Sequence, residues 1–197
     1  MLERAFHTRA RSFRTGGATV FDRQQVVQDL AKRVRNVPDF PVAGILFRDI
    51  TPILQDQTAF QSAVDLFVDT FRRRDVEVFA GIESRGFLFA APTALALGAG
   101  FVPVRKAGKL PAAKVERSYD LEYGTATLEL HRDAVRRGQR VVIIDDLLAT
   151  GGTAQAACAL VEELGGTVLE VAFLIELEAL RGRDRLAGRQ VTSFLRY

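Results

Sequence analysis

Apolar residues repeat at helical spacing in two segments near the start of the chain. Val26, Leu30 and Val34 lie four residues apart within residues 21–36, and a stripe of five apolar residues follows within residues 58–74. This spacing places the apolar side chains on one face, so each segment is predicted to form an amphipathic helix. The sequence between them is rich in proline and glycine and is predicted to be non-helical.

Further along the chain, short apolar runs alternate with helical patterns. The strand-like runs are VEVFAGI, GFVPVRK, QRVVIID and TVLEVAFLIEL, and the helical segments are RGFLFAAPTALALG and GGTAQAACALVEELGG. Strands that alternate with helices of this length indicate parallel βαβ units. The predicted fold class is therefore α/β, with a central, mostly parallel sheet flanked by helices. Residues 106–131 depart from this rhythm and are predicted to form a long exposed loop or loose hairpin that ends in an antiparallel strand, TATLELHRD.

Length and composition are typical of a single folded domain. The chain has 197 residues, of which 48% are apolar and 26% charged, as in ordinary globular proteins. No apolar run approaches the ~20 residues that a membrane span needs, and the first residues contain no apolar core of a signal peptide. Cys158 is the only cysteine, which fits a reducing compartment, so a cytoplasmic location is expected.

The first residues of the chain are basic. The net charge is +3, and residues 1–14 contain four arginines and only one acid. Such a segment can bind nucleic acid, or it can be a solvated leader that precedes the fold. We favour the leader and expect residues 1–22 to be a poorly ordered basic tail and residues 23–197 to be the folded domain.

Two adjacent acids, Asp145 and Asp146, separate a predicted buried strand from a loop that reads Thr-Gly-Gly-Thr. Glycines let the backbone approach a ligand, and the N–H groups and dipole of a helix start favour a phosphate. Ionised carboxylates accept hydrogen bonds from hydroxyl groups and would repel a second phosphate. The pattern predicts a sugar-phosphate site, with ribose hydroxyls on the acids and a 5′-phosphate on the loop. The alternative is an ordinary junction with a glycine turn and a capping threonine.

The stretch VVIIDDLLATGGT, with four apolar residues, two acids, two apolar residues and the loop, resembles the signature of type I phosphoribosyltransferases. These enzymes use 5-phosphoribosyl-1-diphosphate (PRPP). The resemblance implies the type I phosphoribosyltransferase fold, with a flexible hood and a small N-terminal base-binding region. The residues that it implies for binding the ribose and the 5′-phosphate are Asp145, Asp146, Leu147, Leu148, Ala149, Thr150, Gly151, Gly152 and Thr153.

Two further loops follow predicted strands and carry basic side chains. In an open parallel sheet, ligands bind beyond the carboxyl ends of the strands, so these loops are expected to lie beside the two acids. ESRGF is similar to the diphosphate-binding turn of the family, and RKAGKLP to the segment that leads into the hood. For the second loop the alternative is a solvated basic turn. The implied diphosphate-binding residues are Ser84, Arg85, Arg105, Lys106 and Lys109.

The resemblance is narrower for the acceptor base. The members that use hypoxanthine and guanine carry an acid at the position of Ala149. The adenine-specific members of the family carry alanine there, as this chain does. The segments PDFPVAGILFRDITPIL, IESRGFLFAAPTALALG and RKAGKLPAAKVERSYDLEYGTATLEL resemble the same members. The likeness runs from about residue 23 to the end of the chain and implies adenine as the acceptor.

The base-binding residues implied by the resemblance are Leu46, Phe47, Arg48 and Leu177. Phe47 offers a face for stacking a purine, the backbone groups of Leu46 and Arg48 read its edge, and Leu177 closes the other face. Two alternatives are that Phe47 packs in the interior and that Arg48 pairs with Asp49 or another neighbour.

The implied reaction is displacement at the anomeric carbon of PRPP by N9 of adenine, which gives AMP and diphosphate. The resemblance assigns the N9 proton to Glu122 and places Tyr123 over the reaction centre, with Arg85 as the third catalytic candidate. Mg²⁺ is the implied cofactor, and it would bridge substrate oxygens without a direct protein ligand. The alternative for Glu122 is a purely structural role.

Two other functions compete with this one. The first is transfer to another base, such as xanthine or orotate, against which Ala149 and the LFRDI segment argue. The second is a non-catalytic regulator that senses PRPP and binds nucleic acid, in which Glu122 and Tyr123 would be superfluous. The expected partners are adenine, PRPP, AMP, diphosphate and a second copy of the chain in a homodimer. Neither nucleic acid nor a membrane is expected.

Overall fold

The computed structural model describes residues 21–120 and 124–197. The N-terminal part comprises α1 (Arg23–Arg33), β1 (Arg35–Pro38), β2 (Leu46–Asp49), α2 (Thr51–Gln55) and α3 (Gln57–Phe71). The central part comprises β3 (Val78–Ile82), α4 (Gly86–Leu97), β4 (Gly100–Lys106), β5 (Lys114–Asp120) and β6 (Thr125–His131). The C-terminal part comprises β7 (Arg140–Leu148), α5 (Gly152–Glu163), β8 (Thr167–Glu176), two 3₁₀ helices (Glu178–Leu180 and Gly182–Leu186) and β9 (Val191–Arg196).

Seven strands form the central sheet in the order β5-β6-β4-β3-β7-β8-β9. β4, β3, β7, β8 and β9 are parallel, and the hairpin β5–β6 is added antiparallel to the edge of β4. The prediction of a mostly parallel sheet flanked by helices is confirmed, as is the antiparallel strand in TATLELHRD. The carboxyl ends of β3, β4 and β7 lie side by side, and this edge is where a ligand is expected.

Both faces of the sheet are buried, as expected for parallel strands covered by helices. Alternate residues of β7 point to opposite faces. Val142 and Ile144 join a cluster with apolar residues of α1 to α4, and Val141 and Ile143 join a second cluster with α5. The apolar run before the two acids therefore fixes β7 at the centre of the domain, and the acids emerge at its end.

The structure differs from the sequence prediction at both ends of the chain. α1 ends at Arg33 rather than at residue 36, because the following residues pair with β2 in a two-stranded antiparallel sheet. Pro38, the last residue of β1, favours extended backbone in the residue before it. α3 ends at Phe71 rather than at residue 74. α2, the two 3₁₀ helices and β9 were not predicted from the sequence.

The start of the described chain is tied to the fold. The side chain of Asp22 caps α1 by accepting a hydrogen bond from the Gln25 N–H at 3.1 Å, and Phe21 packs against the first apolar cluster. The basic tail was predicted to span residues 1–22; its residues 1–20 lie outside the described residues, and residues 21 and 22 contact the fold. In the described ranges, no helix combines the length and the apolar character needed to cross a lipid bilayer.

Candidate active site

Asp145 and Asp146 lie at the carboxyl end of β7, as predicted. Asp146 is buried and Asp145 is partly buried, and Asp145 Oδ1 accepts a hydrogen bond from the Asp146 N–H at 2.9 Å. Burial raises the pKa of the Asp145 carboxyl well above its ordinary value, and the neighbouring Asp146 carboxylate raises it further. Burial also raises the pKa of Asp146, although the Arg85 guanidinium opposes that shift. The fold therefore holds two carboxylates at a place where their ionisation is costly.

Arg85 connects the acids to the other predicted parts of the site. It follows β3 and immediately precedes α4, and its Nε lies 2.8 Å from Asp146 Oδ2. The centre of its guanidinium lies 5.6 Å from the centroid of the Phe47 ring. One side chain from the predicted diphosphate turn therefore touches a predicted ribose acid and lies over the predicted base-stacking ring.

The first residue of α4, Gly86, packs directly against the end of β7. A Cβ atom at this position would lie 2.6 Å from the carbonyl oxygen of Ile144 and 3.0 Å from Asp145 Oδ1. Neither atom can move freely, because one belongs to the backbone of a central strand and the other to a constrained carboxylate. Glycine at residue 86 allows the turn after β3 to approach the acids.

Residues 149–151 connect β7 to α5, whose first two residues are Gly152 and Thr153. Residues of this segment and Asp145 line a small cavity of about 70 Å³. Gly151 has a φ of +84°, a conformation that favours glycine, and it precedes the first residue of α5. The N–H groups of the helix start therefore face the loop. The residues that line the cavity are Asp145, Leu147, Leu148, Ala149, Thr150, Gly151, Thr153, Ala154 and Phe173.

Leu147 and Leu148, two predicted sugar-phosphate residues, have side chains that pack in the apolar clusters. The Leu147 side chain packs against the first apolar cluster, and the Leu148 side chain is buried in the second. The carbonyl oxygen of Leu148 accepts a hydrogen bond from the Leu177 N–H at 2.9 Å. This bond ties the predicted phosphate loop to a predicted base-binding residue.

Gly182 supports the phosphate loop and was missed in the sequence analysis. Its carbonyl oxygen packs against Gly151, and a Cβ atom at residue 182 would overlap the carbonyl oxygen of Ala149. The next residue, Arg183, forms two hydrogen bonds of 2.7 Å to the carboxylate of Glu176, which is buried. The only signal in the sequence is an isolated glycine between two arginines, which has no spacing that would relate it to the loop.

The predicted diphosphate residues come from the ends of β3 and β4. Glu83 Oε2 accepts hydrogen bonds from Arg105 Nε at 2.9 Å and from the Lys106 N–H at 2.8 Å. Partial burial raises the pKa of Glu83, but these hydrogen bonds outweigh it and the net shift is downward. The side chains of Lys106 and Lys109 are exposed, so they are available to an anion at this edge of the sheet.

Ser84 is exposed and lies in the turn between β3 and α4, next to Arg85. The structure thus brings together four of the five predicted diphosphate residues on two adjacent strand ends, and Lys109 lies on the loop that follows β4. Glu122 and Tyr123, the predicted proton-transfer and covering residues, lie outside the described residues. They belong to the segment that connects β5 to β6.

The predicted base-binding residues Leu46, Phe47 and Arg48 form most of β2. Phe47 is partly buried, and its ring lies edge-on to the Phe40 ring with centroids 5.2 Å apart. Phe40 itself is 51% exposed. An aromatic ring next to Arg85 and at the protein surface differs from the fully buried phenylalanines of the core, so the alternative of simple interior packing does not describe it.

The Arg48 side chain has a structural role. Its guanidinium lies 4.0 Å from the centroid of the Tyr197 ring, and Nη1 donates a hydrogen bond to the side-chain oxygen of Asn36 on the paired strand. Asp49 pairs instead with Arg35, at 2.6 Å. The alternative that the Arg48 side chain contacts a neighbour other than Asp49 therefore describes it. Its backbone groups are free of these contacts and are the part that could bind a base.

Within residues 21–120 and 124–197, no group of three or more histidine, cysteine, aspartate or glutamate side chains is arranged to hold a metal ion. Asp145 and Asp146 are the acids at the centre of the site. Two carboxylates suit a hard cation only if other oxygen atoms complete its coordination, and bound substrate phosphates and water commonly do so for Mg²⁺.

Comparisons with known proteins agree with this geometry. A family profile described as phosphoribosyl transferase domain matches residues 50–193. The chain is 53% identical over 170 residues to an adenine phosphoribosyltransferase of Chloroflexus aurantiacus, covering 86% of this chain and 98% of that protein. The matched profile includes the strand ends, the acid pair and the phosphate loop.

Solved structures show the same similarity. The fold superposes on a crystal structure of adenine phosphoribosyltransferase from Thermoanaerobacter pseudethanolicus with a TM-score of 0.84 and 50% identity, covering 87% of this chain and 99% of that one. The Saccharomyces cerevisiae enzyme, in complex with an imino-altritol bisphosphate and adenine, gives a TM-score of 0.83 and 42% identity, covering 87% and 99%.

Proposed function

This chain belongs to the phosphoribosyltransferase family and has the type I fold, and we propose which part of its site binds each part of the substrates. The enzyme transfers the phosphoribosyl group of PRPP to adenine. In the proposed site, the acid pair and residues 149–153 hold the sugar phosphate, the ends of β3 and β4 hold the diphosphate, and β2 with Leu177 holds the base.

The observation that carries this division is the position of Arg85. Its guanidinium is 2.8 Å from Asp146 and 5.6 Å from the Phe47 ring. In PRPP the anomeric carbon lies between the ribose hydroxyls and the diphosphate, and the incoming base must approach that carbon from the other side. A cation that contacts both an acid and a stacking ring therefore marks the reaction centre.

For the sugar phosphate, Asp145 and Asp146 accept hydrogen bonds from the ribose hydroxyls, and Thr150, Gly151, Gly152 and Thr153 donate to the 5′-phosphate. The cavity lined by Asp145 and by residues of the loop supports this assignment. The yeast relative, crystallised with a bisphosphate and adenine, shows that such ligands occupy the same fold. Leu147, Leu148 and Ala149 contribute backbone and shape.

For the leaving group, Arg85, Arg105, Lys106 and Lys109 neutralise negative charge as the bond from the anomeric carbon to diphosphate breaks. Ser84 adds a hydroxyl donor. Arg85 exchanges part of its contact with Asp146 for the diphosphate, and Arg105 does the same with Glu83, since both guanidiniums are already paired with carboxylates. Mg²⁺ bound to substrate oxygens would supply further neutralisation, and the acid pair fits beside it.

For the base, Phe47 stacks on adenine, which contributes about 1–3 kcal/mol in comparable cases. Backbone groups of Leu46 and Arg48 read the edge of the purine, and Leu177 covers its other face. As the bond from N9 to the anomeric carbon forms, the N9 proton passes to Glu122, which acts as the general base. Tyr123 covers the reaction centre.

We also propose that the enzyme acts as a homodimer in a reducing cytoplasm. Leu95 on α4 is 84% exposed, and an exposed leucine of this kind suits contact with a second copy of the chain. Burial raises the pKa of the Cys158 thiol to about 11, so this cysteine is an unreactive core residue and fits a compartment without disulfides. Sedimentation of the purified protein would test the dimer.

The test of the function is a substrate panel. With PRPP and Mg²⁺, the protein is expected to convert adenine to AMP and to release diphosphate. The kcat/KM for guanine, hypoxanthine, xanthine and orotate is expected to be lower by at least about a thousandfold, because a site that hydrogen-bonds one base edge leaves buried groups unpaired with another. Turnover of an oxopurine as fast as adenine would contradict the assignment of the base.

A second prediction concerns Glu122. Replacing it with glutamine is expected to lower kcat by about 10²–10⁴, the range for general acid–base groups, and to leave the affinity for PRPP nearly unchanged. Single-turnover rates and equilibrium titration with PRPP would separate the two effects. Glu116→Gln, an exposed change on β5 of the same hairpin, is the control. An unchanged kcat would remove Glu122 from the chemistry.

A further inference from the structure

A buried carboxylate lies beneath the loop that carries Lys109. Glu129, on β6, is 1% exposed and stands opposite Arg105 of β4 in the sheet. Its Oε1 accepts hydrogen bonds from the Gly108 N–H and from Lys114 Nζ, each at 2.6 Å, and its Oε2 accepts one from the Leu110 N–H at 3.3 Å. No role in the reaction proposed above uses this side chain.

The two backbone donors flank Lys109 on either side. Glu129 therefore fixes the course of the chain from residue 108 to residue 110, while the Lys109 side chain remains exposed at the edge of the sheet. The loop otherwise joins β6 through the Ala107 N–H, which donates to the Thr127 carbonyl oxygen at 3.0 Å. The carboxylate therefore anchors the backbone on both sides of Lys109.

Glu129 is held in its charged form. The Lys114 ammonium and the Gly108 N–H lower the pKa of this carboxyl to about 2, against the effect of burial. An ionised carboxylate can accept all three donors at once, because it has two acceptor oxygens and no hydrogen of its own. A carboxamide has a single acceptor oxygen, and its NH₂ group would face a donor.

We propose that Glu129 is a positioning residue for the diphosphate half of the site. It acts through the backbone on both sides of Lys109 and aims that ammonium at the leaving group. This inference rests on the proposed function, in which Lys109 contacts diphosphate. It predicts that the charge and length of the Glu129 side chain govern diphosphate binding but not AMP binding, since AMP carries no diphosphate and contacts the acid pair, the phosphate loop and β2 instead.

The experiment measures two ligands separately. For Glu129→Gln, titration with magnesium diphosphate is expected to show an affinity about tenfold lower than that of the unmodified protein, the equivalent of one lost hydrogen bond to a charged group. Titration with AMP is expected to change less than twofold. In steady-state kinetics the KM for PRPP is expected to rise and the KM for adenine to stay constant. If Glu129 served only the stability of the fold, its replacement would not lower the affinity for diphosphate more than the affinity for AMP.

Glu170→Gln is the matched control. Glu170 is a buried carboxylate in β8, paired with Arg74 at 3.1 Å, and it stands opposite Val142 of β7, three residues before Asp145. Its replacement is expected to lower the thermal midpoint without changing either affinity. If Glu129→Gln does not fold, Glu129→Asp keeps the charge but is too short to reach both N–H groups, and the same separation of ligands is expected.

A double variant tests the path of the effect. Because Glu129 is proposed to act through Lys109, Glu129→Gln added to Lys109→Ala is expected to reduce diphosphate affinity little beyond Lys109→Ala alone. Equal loss of AMP and diphosphate binding in Glu129→Gln, unchanged diphosphate binding, or full additivity with Lys109→Ala would each overturn the proposal. Formation of AMP from adenine by the unmodified protein tests the function independently of these results.

Discussion

Replacing Asp145 with asparagine is expected to stabilise the fold and to weaken AMP binding at the same time. Burial and the neighbouring Asp146 carboxylate raise the pKa of Asp145, so keeping it ionised near neutral pH costs stability. Asparagine occupies the same volume without the charge, and a gain of about 0.5–2 kcal/mol in unfolding free energy is expected. The same change removes a charged acceptor for a ribose hydroxyl, worth about 1.5–3 kcal/mol, so AMP affinity is expected to fall by about 10–100-fold.

The pH dependence of the unfolding free energy tests whether the charge of Asp145 destabilises the fold. A carboxyl whose pKa is raised in the folded state binds its proton more tightly there than in the unfolded chain, so its cost to stability is largest above the folded pKa. The cost declines as the pH falls below the folded pKa and is gone below the unfolded pKa. The difference in unfolding free energy between Asp145→Asn and the unmodified protein is therefore expected to shrink on acidification. Denaturant unfolding at several pH values, together with AMP titration at neutral pH, measures both halves of the prediction.

Asp146→Asn is the internal comparison. Asp146 is paired with Arg85 at 2.8 Å, so its replacement removes the charge repulsion but also leaves the guanidinium without its partner. The gain in stability is expected to be smaller than for Asp145→Asn, or absent, while AMP binding still weakens. A loss of stability in Asp145→Asn, or AMP affinity equal to that of the unmodified protein, would contradict the view that the acid pair is maintained for the ribose.

The sequence predicted the sheet and one half of the site because those features depend on local pattern. A buried parallel strand appears as a continuous apolar run, and β7 shows it just before the two acids. The glycines and threonines that follow belong to the same short stretch. One local pattern therefore predicted the strand, the acids, the loop and the start of α5. β2 was not predicted as a strand, although its residues were predicted to bind the base.

Contacts between distant segments could not be predicted in the same way. Gly182 lies against residues 149 and 151, and Glu129 binds the backbone beside Lys109, but neither pair has a periodic spacing. The pairing of Arg85 with Asp146 likewise appears only when β3 and β7 are placed side by side. Motifs indicate which residues meet the ligand, whereas the residues that hold those motifs in place become visible through three-dimensional packing.

Gly182→Ala is expected to abolish most binding of AMP while leaving diphosphate binding intact. A Cβ atom at residue 182 would overlap the carbonyl oxygen of Ala149 and lie 2.8 Å from Leu148 Cδ1. Neither can give way cheaply, since the first is backbone in the phosphate loop and the second belongs to a side chain that is 1% exposed. Overpacking of this kind costs about 1–3 kcal/mol, and the loop, as the less constrained partner, is expected to shift and lower AMP affinity by at least about tenfold.

Gly100→Ala is the matched control for this change. The nearest atom to a Cβ at residue 100 is Val78 Cγ2 at 3.4 Å, an ordinary contact, so both ligands are expected to bind as in the unmodified protein. Gly182→Ala and Glu129→Gln should then give opposite results, the first losing AMP and the second losing diphosphate. If Gly182→Ala weakened both ligands equally, the loop would not be an independent unit, and the contact between residue 182 and the loop would serve the stability of the whole domain instead.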